Sequence, residues 1–179
     1  MNFCSHCGGR ISLKRPEGDT HVRHVCEGCQ AIHYVNPKIV AGCIPERDGL
    51  ILLCRRAIEP RAGYWTFPAG FMELHESTEE AAARETQEEA KAIVEITSLY
   101  AVFTLTHVNQ VYVVYRGRLT TEEFGCGHES SEVRLCSDAE IPWPELAFPV
   151  IRETLERYVA DYRRGTFSVH FGAVTTRMR

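Results

Sequence analysis

The sequence lacks any apolar run long enough to cross a membrane as a helix, which takes about 20 consecutive apolar residues. It also lacks an N-terminal charged segment followed by an apolar one, and Cys4 lies where such a signal segment would begin. Together these two absences predict a protein that does not bind a membrane, and the Cys-x-x-Cys pairs in the sequence indicate a reducing cytoplasm.

Lysine is scarce, since Lys14, Lys38 and Lys91 are the only lysines among 20 basic residues. Arginine therefore carries most of the positive charge, and its guanidinium binds phosphate through paired hydrogen bonds. The formal net charge of −4 argues against a nucleic-acid partner bound over the whole surface. A length of 179 residues, without internal repeats or low-complexity tracts, suits one medium domain with a small additional module.

The eight cysteines fall into two groups. Cys4 and Cys7 form one Cys-x-x-Cys pair, and Cys26 and Cys29 form another. A chain of this length does not need a disulfide scaffold, and two such pairs are typical of a ribbon whose four thiolates hold a structural Zn²⁺. Few apolar residues separate the pairs, so zinc is expected to fold this segment, residues 1–36.

Three histidines beside the pairs are alternative ligands, although four thiolates already complete a tetrahedral site: His6, His24 and His33. The second group of cysteines is spread through apolar strands and a loop. These residues are expected to act as small apolar side chains without a ligand or nucleophile role: Cys43, Cys54, Cys126 and Cys136.

Residues 37–179 show strand and helix patterns that predict one larger α/β domain. Apolar runs at 38–44 and 50–55 predict a strand pair around the turn Asp48-Gly49, and β-branched or aromatic runs predict strands at 93–106, 110–119 and 132–136. A final helix is predicted from Phe148 or Pro149 to about Arg164, with an apolar face of Ile151, Leu155, Tyr158, Val159 and Tyr162. The predicted fold is a mixed sheet with helices packed on it, an α/β sandwich.

A helix that begins after Ser77 carries the most informative residues. Ser77 and Glu80 form a Ser-x-x-Glu capping box, and small residues make an apolar stripe for packing on the sheet: Ala82, Thr86, Ala90 and Ile93. Glu85, Glu88 and Glu89 stand at positions i, i+3 and i+4, so their carboxylates share one face and repel one another. Such an all-oxygen cluster suits Mg²⁺ or Mn²⁺, which predicts a divalent cation on this face.

Residues 70–91 resemble the Nudix box, Gly-x5-Glu-x7-Arg-Glu-U-x-Glu-Glu-x-Gly-U, in which U is a bulky aliphatic residue. Six positions fall in register: Gly70, Glu76, Arg84, Glu85, Glu88 and Glu89. Thr86 replaces the aliphatic residue and Lys91 replaces the second glycine. Glycine adopts the left-handed conformation at a helix end easily and lysine does not, so either Lys91 keeps that geometry or the helix runs through it.

The resemblance implies a Nudix α/β/α sandwich that hydrolyses a diphosphate by attack of water, with a divalent cation bound. It implies that Glu85, Glu88 and Glu89 are the metal ligands, helped by the Gly70 carbonyl, while Arg84 pairs with Glu76 and braces the loop against the helix. The general base is left open between Glu85 and a loop acid, for which Glu129 and Glu132 both qualify.

Blocks at 32–38, 54–61, 67–73 and 109–112 resemble plant FAD and ADP-ribose pyrophosphatases with a zinc ribbon. This resemblance implies cleavage of FAD to FMN and AMP, or of ADP-ribose to AMP and ribose 5-phosphate. It also suggests substrate contacts from three arginines and two aromatic residues: Arg55, Arg56, Arg61, Trp65 and Tyr112. A homodimer is expected, with the ribbon as a plausible contact.

Two alternatives remain. NADH pyrophosphatases of this family carry Ser-Gln-Pro-Trp-Pro-Phe-Pro after the box, and this chain shares only Pro142-Trp143-Pro144 with it. A regulatory protein that senses a nucleotide would be expected to have lost a glutamate of the box, and none is lost here. The sequence therefore favours an enzyme.

Overall fold

The computed structural model describes residues 1–175 and divides the chain into two compact units. The first unit is Met1–Pro37 and the second begins at Lys38. Each unit has a sheet of its own.

The smaller unit is built on a three-stranded antiparallel sheet. Its strands are β1 (Ile11–Lys14), β2 (Arg23–Cys26) and β3 (Ile32–His33), in the order β1-β2-β3. The first cysteine pair lies in a turn closed by a bridge between Phe3 and Arg10, and the second lies at the turn from β2 to β3. The sheet therefore holds two turns that carry the predicted zinc ligands.

The larger unit alternates strands with two α-helices. Its strands are β4 (Lys38–Arg47), β5 (Leu50–Arg56), β6 (Trp65–Thr66), β7 (Ala69–Phe71), β8 (Val94–Leu105), β9 (Gln110–Leu119), β10 (Ser130–Cys136) and β11 (His170–Ala173). Its helices are α1 (Thr78–Ala90) and α2 (Pro149–Arg164), with a 3₁₀ turn at Trp143–Glu145. In the part of the chain that is described, neither helix has the length and apolar character needed to pass through a bilayer.

The sheet of the larger unit is mixed. Its main strand order is β10-β5-β4-β9-β8-β11, while β6 pairs with β5 and β7 pairs with β4. The pairs β4–β9 and β8–β11 are parallel, and the remaining pairs are antiparallel. The long parallel register of β4 on β9 places β4 in the middle of the sheet, where β7 delivers the box glycine beside it.

Both faces of the sheet are covered, because alternate residues of each strand point to opposite sides. Val40 and Ile44 of β4 face a core that contains Ile151 and Leu155 of α2. Ala41 and Cys43 of the same strand face a second core, to which α1 contributes its small residues: Ala81, Ala82 and Ala90. The arrangement confirms the predicted three-layer α/β sandwich with a mixed sheet.

Helix α1 begins and ends as its sequence requires. The Ser77 side chain accepts the Glu80 N–H at 3.2 Å, and the Glu80 carboxylate accepts the Ser77 N–H at 2.7 Å, which confirms the capping box. Lys91 ends the helix in the left-handed conformation, with φ of 52° and ψ of 26°. The geometry expected of glycine is therefore kept without the glycine.

Two details differ from the sequence-based expectations. Ile93 was predicted to extend the apolar stripe of α1, but the helix ends before it and its side chain is 53% exposed. The strand β11 was not predicted; it lies parallel to β8 at the edge of the sheet, with Phe171 opposite Val102. The helix α2, by contrast, has the predicted bounds.

The cysteines outside the pairs have the predicted surroundings. Cys43, Cys54 and Cys136 are buried in the two cores, and burial raises the pKa of each thiol. Cys126 is exposed in the loop before β10. Thr86, which replaces an aliphatic residue of the box, is also fully buried, and its hydroxyl donates a 2.8 Å hydrogen bond to the Ala82 carbonyl. This hydrogen bond satisfies the hydroxyl inside an apolar layer.

Candidate active site

The acidic face of α1 brings three carboxylates together. Glu85 and Glu89 are buried, while Glu88 is exposed one turn away. Burial is the main cause that raises the pKa of both buried carboxyls, and for Glu89 burial together with the negative charge of Glu85 raises it to about 8. Each buried carboxyl is therefore costly to ionise unless a cation or another partner compensates its charge.

Arg84 hydrogen-bonds both to this acidic face and to the loop before the helix. Its Nε and Nη2 atoms donate to the two carboxylate oxygens of Glu76 at 3.0 and 2.8 Å, and Nη2 also donates to the Phe71 carbonyl at 3.2 Å. Its Nη1 atom lies 2.8 Å from Glu85 Oε1 and 3.1 Å from Glu88 Oε2. Arg84 thus ties the loop after β7 to the helix and fixes two of the three clustered carboxylates.

Glu76 completes the brace. Its carboxylate accepts two hydrogen bonds from Arg84 and a third from the Glu73 N–H at 2.6 Å. The hydrogen bonds from Arg84, followed by the one from the Glu73 backbone, lower the pKa of Glu76 to about 2. Glu76 is therefore ionised at neutral pH and positions Arg84 rather than acting as an acid or base.

Gly70 lies against the cluster from the side of the sheet. It sits in β7 opposite Ala41, and a Cβ atom at this position would fall 2.3 Å from the Glu85 carboxylate. Any side chain here would displace Glu85. The first glycine of the box is thus required for space, because φ is not positive at this residue.

The chemistry of these residues fits a hard divalent cation. Glu89 Oε2 is buried and has no hydrogen-bond partner among the described residues. A buried carboxylate oxygen without a partner is costly, and carboxylate oxygens with a backbone carbonyl are ligands that Mg²⁺ and Mn²⁺ prefer. Glu85, Glu88, Glu89 and the Gly70 carbonyl are the groups that would hold such an ion.

A cavity of about 850 Å³ opens beside the acidic face. Its lining includes charged side chains, from Arg56, Arg84, Glu85, Glu88, Glu89 and Glu129. It also includes apolar and aromatic side chains, from Leu105, Tyr112, Phe148, Ile151 and Val174. A cavity with this mixed lining suits a ligand that joins phosphate groups to a ring system.

The structure separates the two loop acids. Glu129 lines the cavity, and its backbone carbonyl accepts the Ala57 N–H at 2.8 Å. Glu132 lies in β10, where its carboxylate is 3.7 Å from Nη1 of Arg55. Only Glu129 therefore faces the carboxylates of α1 across the cavity.

Of the five residues predicted to contact the substrate, two line the cavity and three do not. Arg56 and Tyr112 line the cavity, and Arg56 lies over the ring of Phe148 with 5.4 Å between Cζ and the ring centroid. Arg55 donates to the Gly63 carbonyl at 2.8 Å and lies beside Glu132, and Arg61 lies over the ring of Tyr64. Neither Arg55 nor Arg61 is among the residues that line the cavity.

Trp65 belongs to the core. Its side chain is 3% exposed and packs among the residues of the α2 side, with the Arg134 guanidinium 4.3 Å from its ring. It does not line the cavity, so its position gives no support to a stacking contact with a substrate.

Several cavity residues were not anticipated as site residues. Phe148 and Ile151 were predicted only as part of the final helix, and no role was predicted for Val174; all three line the cavity and belong to one apolar cluster with residues of β8 and β9. His128 lies directly before Glu129, and this adjacency was the one signal that pointed to it. Gln110 also lines the cavity, within a block that resembled the plant enzymes.

The four paired cysteines of the smaller unit form a second candidate metal site. Their sulfur atoms all lie within 4.8 Å of one another, with Cys4 and Cys29 at 3.7 Å and Cys7 and Cys26 at 3.5 Å. A tetrahedral site with Zn–S bonds of about 2.3 Å has edges of about 3.8 Å, so the four thiols fit zinc. His33 approaches Cys4 Sγ at 3.2 Å through Nε2 and lies outside the group of four.

Two protein-family models match the chain. A model described as NUDIX domain matches residues 36–158, and a zinc-ribbon model described as Nudix N-terminal matches residues 2–35. The first match contains every residue of the acidic cluster and Glu129.

Individual relatives extend the comparison. The chain is 30% identical over 137 residues to an ADP-ribose pyrophosphatase of Methanocaldococcus jannaschii, covering 73% of this chain and 76% of the relative. It is 35% identical over 91 residues to the NAD-capped RNA hydrolase NudC of Vibrio atlanticus, covering 50% of this chain and only 31% of NudC. The crystal structure of a NUDIX hydrolase from Nitrosomonas europaea matches with a TM-score of 0.92 at 50% identity, over 97% of this chain and 100% of the other.

The matched domain spans well over half of the chain and includes the helix whose carboxylates, arginine brace and adjoining glycine form the site. The chain therefore belongs to the Nudix family of hydrolases, as an enzyme that carries the Nudix N-terminal zinc-ribbon segment.

Proposed function

We propose that this enzyme hydrolyses the diphosphate of a nucleoside diphosphate linked to a second moiety, with ADP-ribose as its first substrate and AMP and ribose 5-phosphate as the products. The observation that carries the proposal is the cavity, whose lining combines Glu85, Glu88 and Glu89 with apolar and aromatic side chains. The relative from Methanocaldococcus jannaschii is named an ADP-ribose pyrophosphatase, which favours this substrate.

The roles of the residues follow from their positions. Glu85, Glu88, Glu89 and the Gly70 carbonyl hold a divalent cation, Mg²⁺ or Mn²⁺, which when bound neutralises phosphate charge and makes a water more acidic. Arg84 and Glu76 keep two of these carboxylates in place. Arg56 contacts the diphosphate, because it lines the same cavity as the carboxylates of α1 and a guanidinium binds phosphate well.

The chemical step breaks one bond of the diphosphate bridge. Water attacks one phosphorus, the bridging P–O bond breaks, and the bridging oxygen leaves with the other phosphate. Glu129 accepts the proton of the water, since it faces the cluster and its backbone is held by Ala57. Tyr112 and Phe148 stack on the ring system; burial raises the pKa of Tyr112 to about 12, so its hydroxyl stays neutral.

Other dinucleotides are the second candidates. The relative from Vibrio atlanticus is named an NAD-capped RNA hydrolase, which favours NAD-type substrates, and the sequence blocks that resemble plant enzymes favour FAD. Zinc in the cysteine cluster is proposed to be structural, because four thiolates leave no open position.

The test is release of AMP from ADP-ribose, FAD and NADH by the zinc-loaded protein, measured by chromatography with Mg²⁺, with Mn²⁺ and with excess EDTA. ADP-ribose is expected to be cleaved fastest, and EDTA is expected to stop the reaction. A protein that binds these nucleotides but cleaves none of them would be a sensor instead of an enzyme.

Glu89→Gln is expected to lower turnover by about 100-fold or more, because even outer partners of metal ligands contribute 10–100-fold. Its fold should persist, since the buried carboxylate with an unpartnered oxygen is removed. Glu79→Gln, an exposed residue in the first turn of the same helix, is the matched control and should leave turnover unchanged. Normal turnover by Glu89→Gln would refute the metal assignment.

A further inference from the structure

The loop that carries Glu129 is attached by its backbone to the end of α1. The Gly125 N–H donates to the Ala90 carbonyl at 2.8 Å, and the Gly127 N–H donates to the Glu89 carbonyl at 2.9 Å. The last carbonyls of a helix have no partner within it, so these two donors complete the C-terminal turn of α1. We call residues 124–129 the glycine loop.

Close contact, and not backbone torsion, explains the glycine at position 127. A Cβ atom there would lie 1.7 Å from the Glu88 carbonyl oxygen and 2.9 Å from Cα of Glu89. Gly127 does not have a positive φ. A Cβ at Gly125, in contrast, would meet nothing within 4 Å. Of the two glycines, only Gly127 is therefore required for space.

Glu129, which lines the cavity, follows Gly127 by two residues. Gly127 also accepts the Ser130 N–H at 3.3 Å, so the loop turns back on itself around Glu129. The Glu129 carbonyl accepts the Ala57 N–H from the end of β5. Glu129 is consequently held between the sheet and the metal-binding helix by backbone contacts on both sides.

We propose that Gly127 is a positioning residue, which sets the distance between the Glu129 carboxylate and the carboxylates of α1 by letting the glycine loop approach the helix backbone without a side chain between them. This inference rests on the proposed function, in which Glu129 accepts a proton. It adds a residue outside the box whose role is to place the loop acid relative to the metal ligands.

The first test compares Gly127→Ala with Gly125→Ala, two identical changes in one loop. Gly127→Ala is expected to lower kcat for ADP-ribose by about 100-fold, because a displacement of about 1 Å in a reacting group has an effect of that size. KM and the affinity for Mn²⁺, measured by electron paramagnetic resonance, should stay nearly constant. Gly125→Ala should behave like the wild type. Equal losses in both variants, or weaker Mn²⁺ binding by Gly127→Ala, would overturn the proposal.

The second test is a double-mutant cycle with Glu129→Gln. If Gly127 acts through Glu129, the double variant should be no slower than Glu129→Gln alone, because the displaced group has already lost its function. Additive losses would show that Gly127 acts elsewhere. An unchanged kcat in Glu129→Gln would also overturn the proposal.

A third measurement uses the wild-type protein, so it holds even if Gly127→Ala does not fold or if no dinucleotide is cleaved. The amide protons of Gly125 and Gly127 should exchange with solvent as slowly as those in the last turn of α1. Exchange at the rate of a free loop would overturn the docking itself. Absence of wild-type turnover would instead refute the proposed function, which separates the two failures.

Discussion

At the residue scale, Lys91 shows how a departure from a sequence pattern is accommodated. The helix needs a left-handed residue at this position, and Lys91 adopts it with its N–H donating to the Gln87 carbonyl at 3.0 Å. A residue with a Cβ atom is disfavoured there by roughly 1–2 kcal/mol. The chain therefore keeps the left-handed helix end of the box, although the backbone of Lys91 is strained there.

Lys91→Gly should therefore raise the free energy of unfolding by about 0.5–1 kcal/mol, since relief of the strain exceeds the extra entropy that glycine gives the unfolded chain. Urea denaturation measures the change. Lys91→Ala keeps the Cβ atom and should give no such gain. An equal gain from both variants would mean that the lysine charge, and not the backbone, is responsible.

Glu76 gives a prediction about acid stability. Its pKa is about 2 in the folded protein against an ordinary value of 4.5, so its ionised form is favoured by folding. The contribution is fully present above pH 4.5 and is lost as the pH falls towards 2. The stability difference between wild type and Glu76→Gln should thus shrink over this window, as measured by denaturation at successive pH values. A difference that is constant with pH would contradict the ion pair with Arg84.

Single residues also show what sequence alone can and cannot assign. The spacing of Glu85, Glu88 and Glu89 fixed their common face because helix geometry is local. The different surroundings of Glu129 and Glu132 could not be predicted without the sheet, since only strand pairing places Glu132 beside Arg55. For Trp65 the sequence allows either a core position or a ligand contact, because an aromatic residue near the box suits both, and the structure packs it in the core.

At the scale of elements, β11 depends on one buried cluster. Asp161 of α2 is fully buried, and it accepts the Tyr100 hydroxyl at 3.2 Å and lies 2.7 Å from Nε2 of His170. Arg164 pairs with its other oxygen. These contacts join α2, β8 and β11, and β11 leads directly to Val174, which lines the cavity.

Asp161→Ala should lower the free energy of unfolding by about 3 kcal/mol, because the buried Tyr100 hydroxyl and the largely buried His170 ring lose their acceptor at once. It should also raise KM, since Val174 would lose its support. Asp138→Ala removes an exposed pair with Arg163 and is the control, with an expected change below about 0.5 kcal/mol. Equal losses of unfolding free energy in the two variants, measured by urea denaturation, would show that the cluster around Asp161 stabilises the fold no more than an exposed ion pair does.

The elements divide into those that local patterns predict and those that they do not. Capping residues and apolar periodicity placed α1 and α2 closely, because their signals lie within the helices. The strand β11 is short, contains Gly172 and pairs in parallel with a strand far away in the sequence. Its formation depends on a partner that no local pattern identifies.

At the scale of the whole molecule, the two units are stabilised by different means. The larger unit has two apolar cores, while Cys4, Val25 and Cys26 are the buried apolar residues of the smaller one. A unit with so little core is expected to depend on a bound metal for its fold. Composition and cysteine spacing lead to the same expectation.

Cys4→Ser should lower the zinc content below one ion per chain and make residues 1–37 sensitive to protease, while the larger unit stays resistant. Mass spectrometry of a limited digest identifies where cleavage occurs. Cys126→Ser changes an exposed cysteine outside the cluster and should leave both zinc content and resistance unchanged. Full resistance of Cys4→Ser would rule out a structural zinc.

The unpartnered oxygen of Glu89 has a consequence for how stability is measured. Three acidic side chains on one helical turn exist as a binding site only when the helix is formed, so a cation that binds them favours the folded state by mass action. Above the dissociation constant, each tenfold rise in free cation adds about 1.4 kcal/mol to the free energy of unfolding. The melting temperature of this enzyme is therefore expected to rise with the concentration of free divalent cation in the medium.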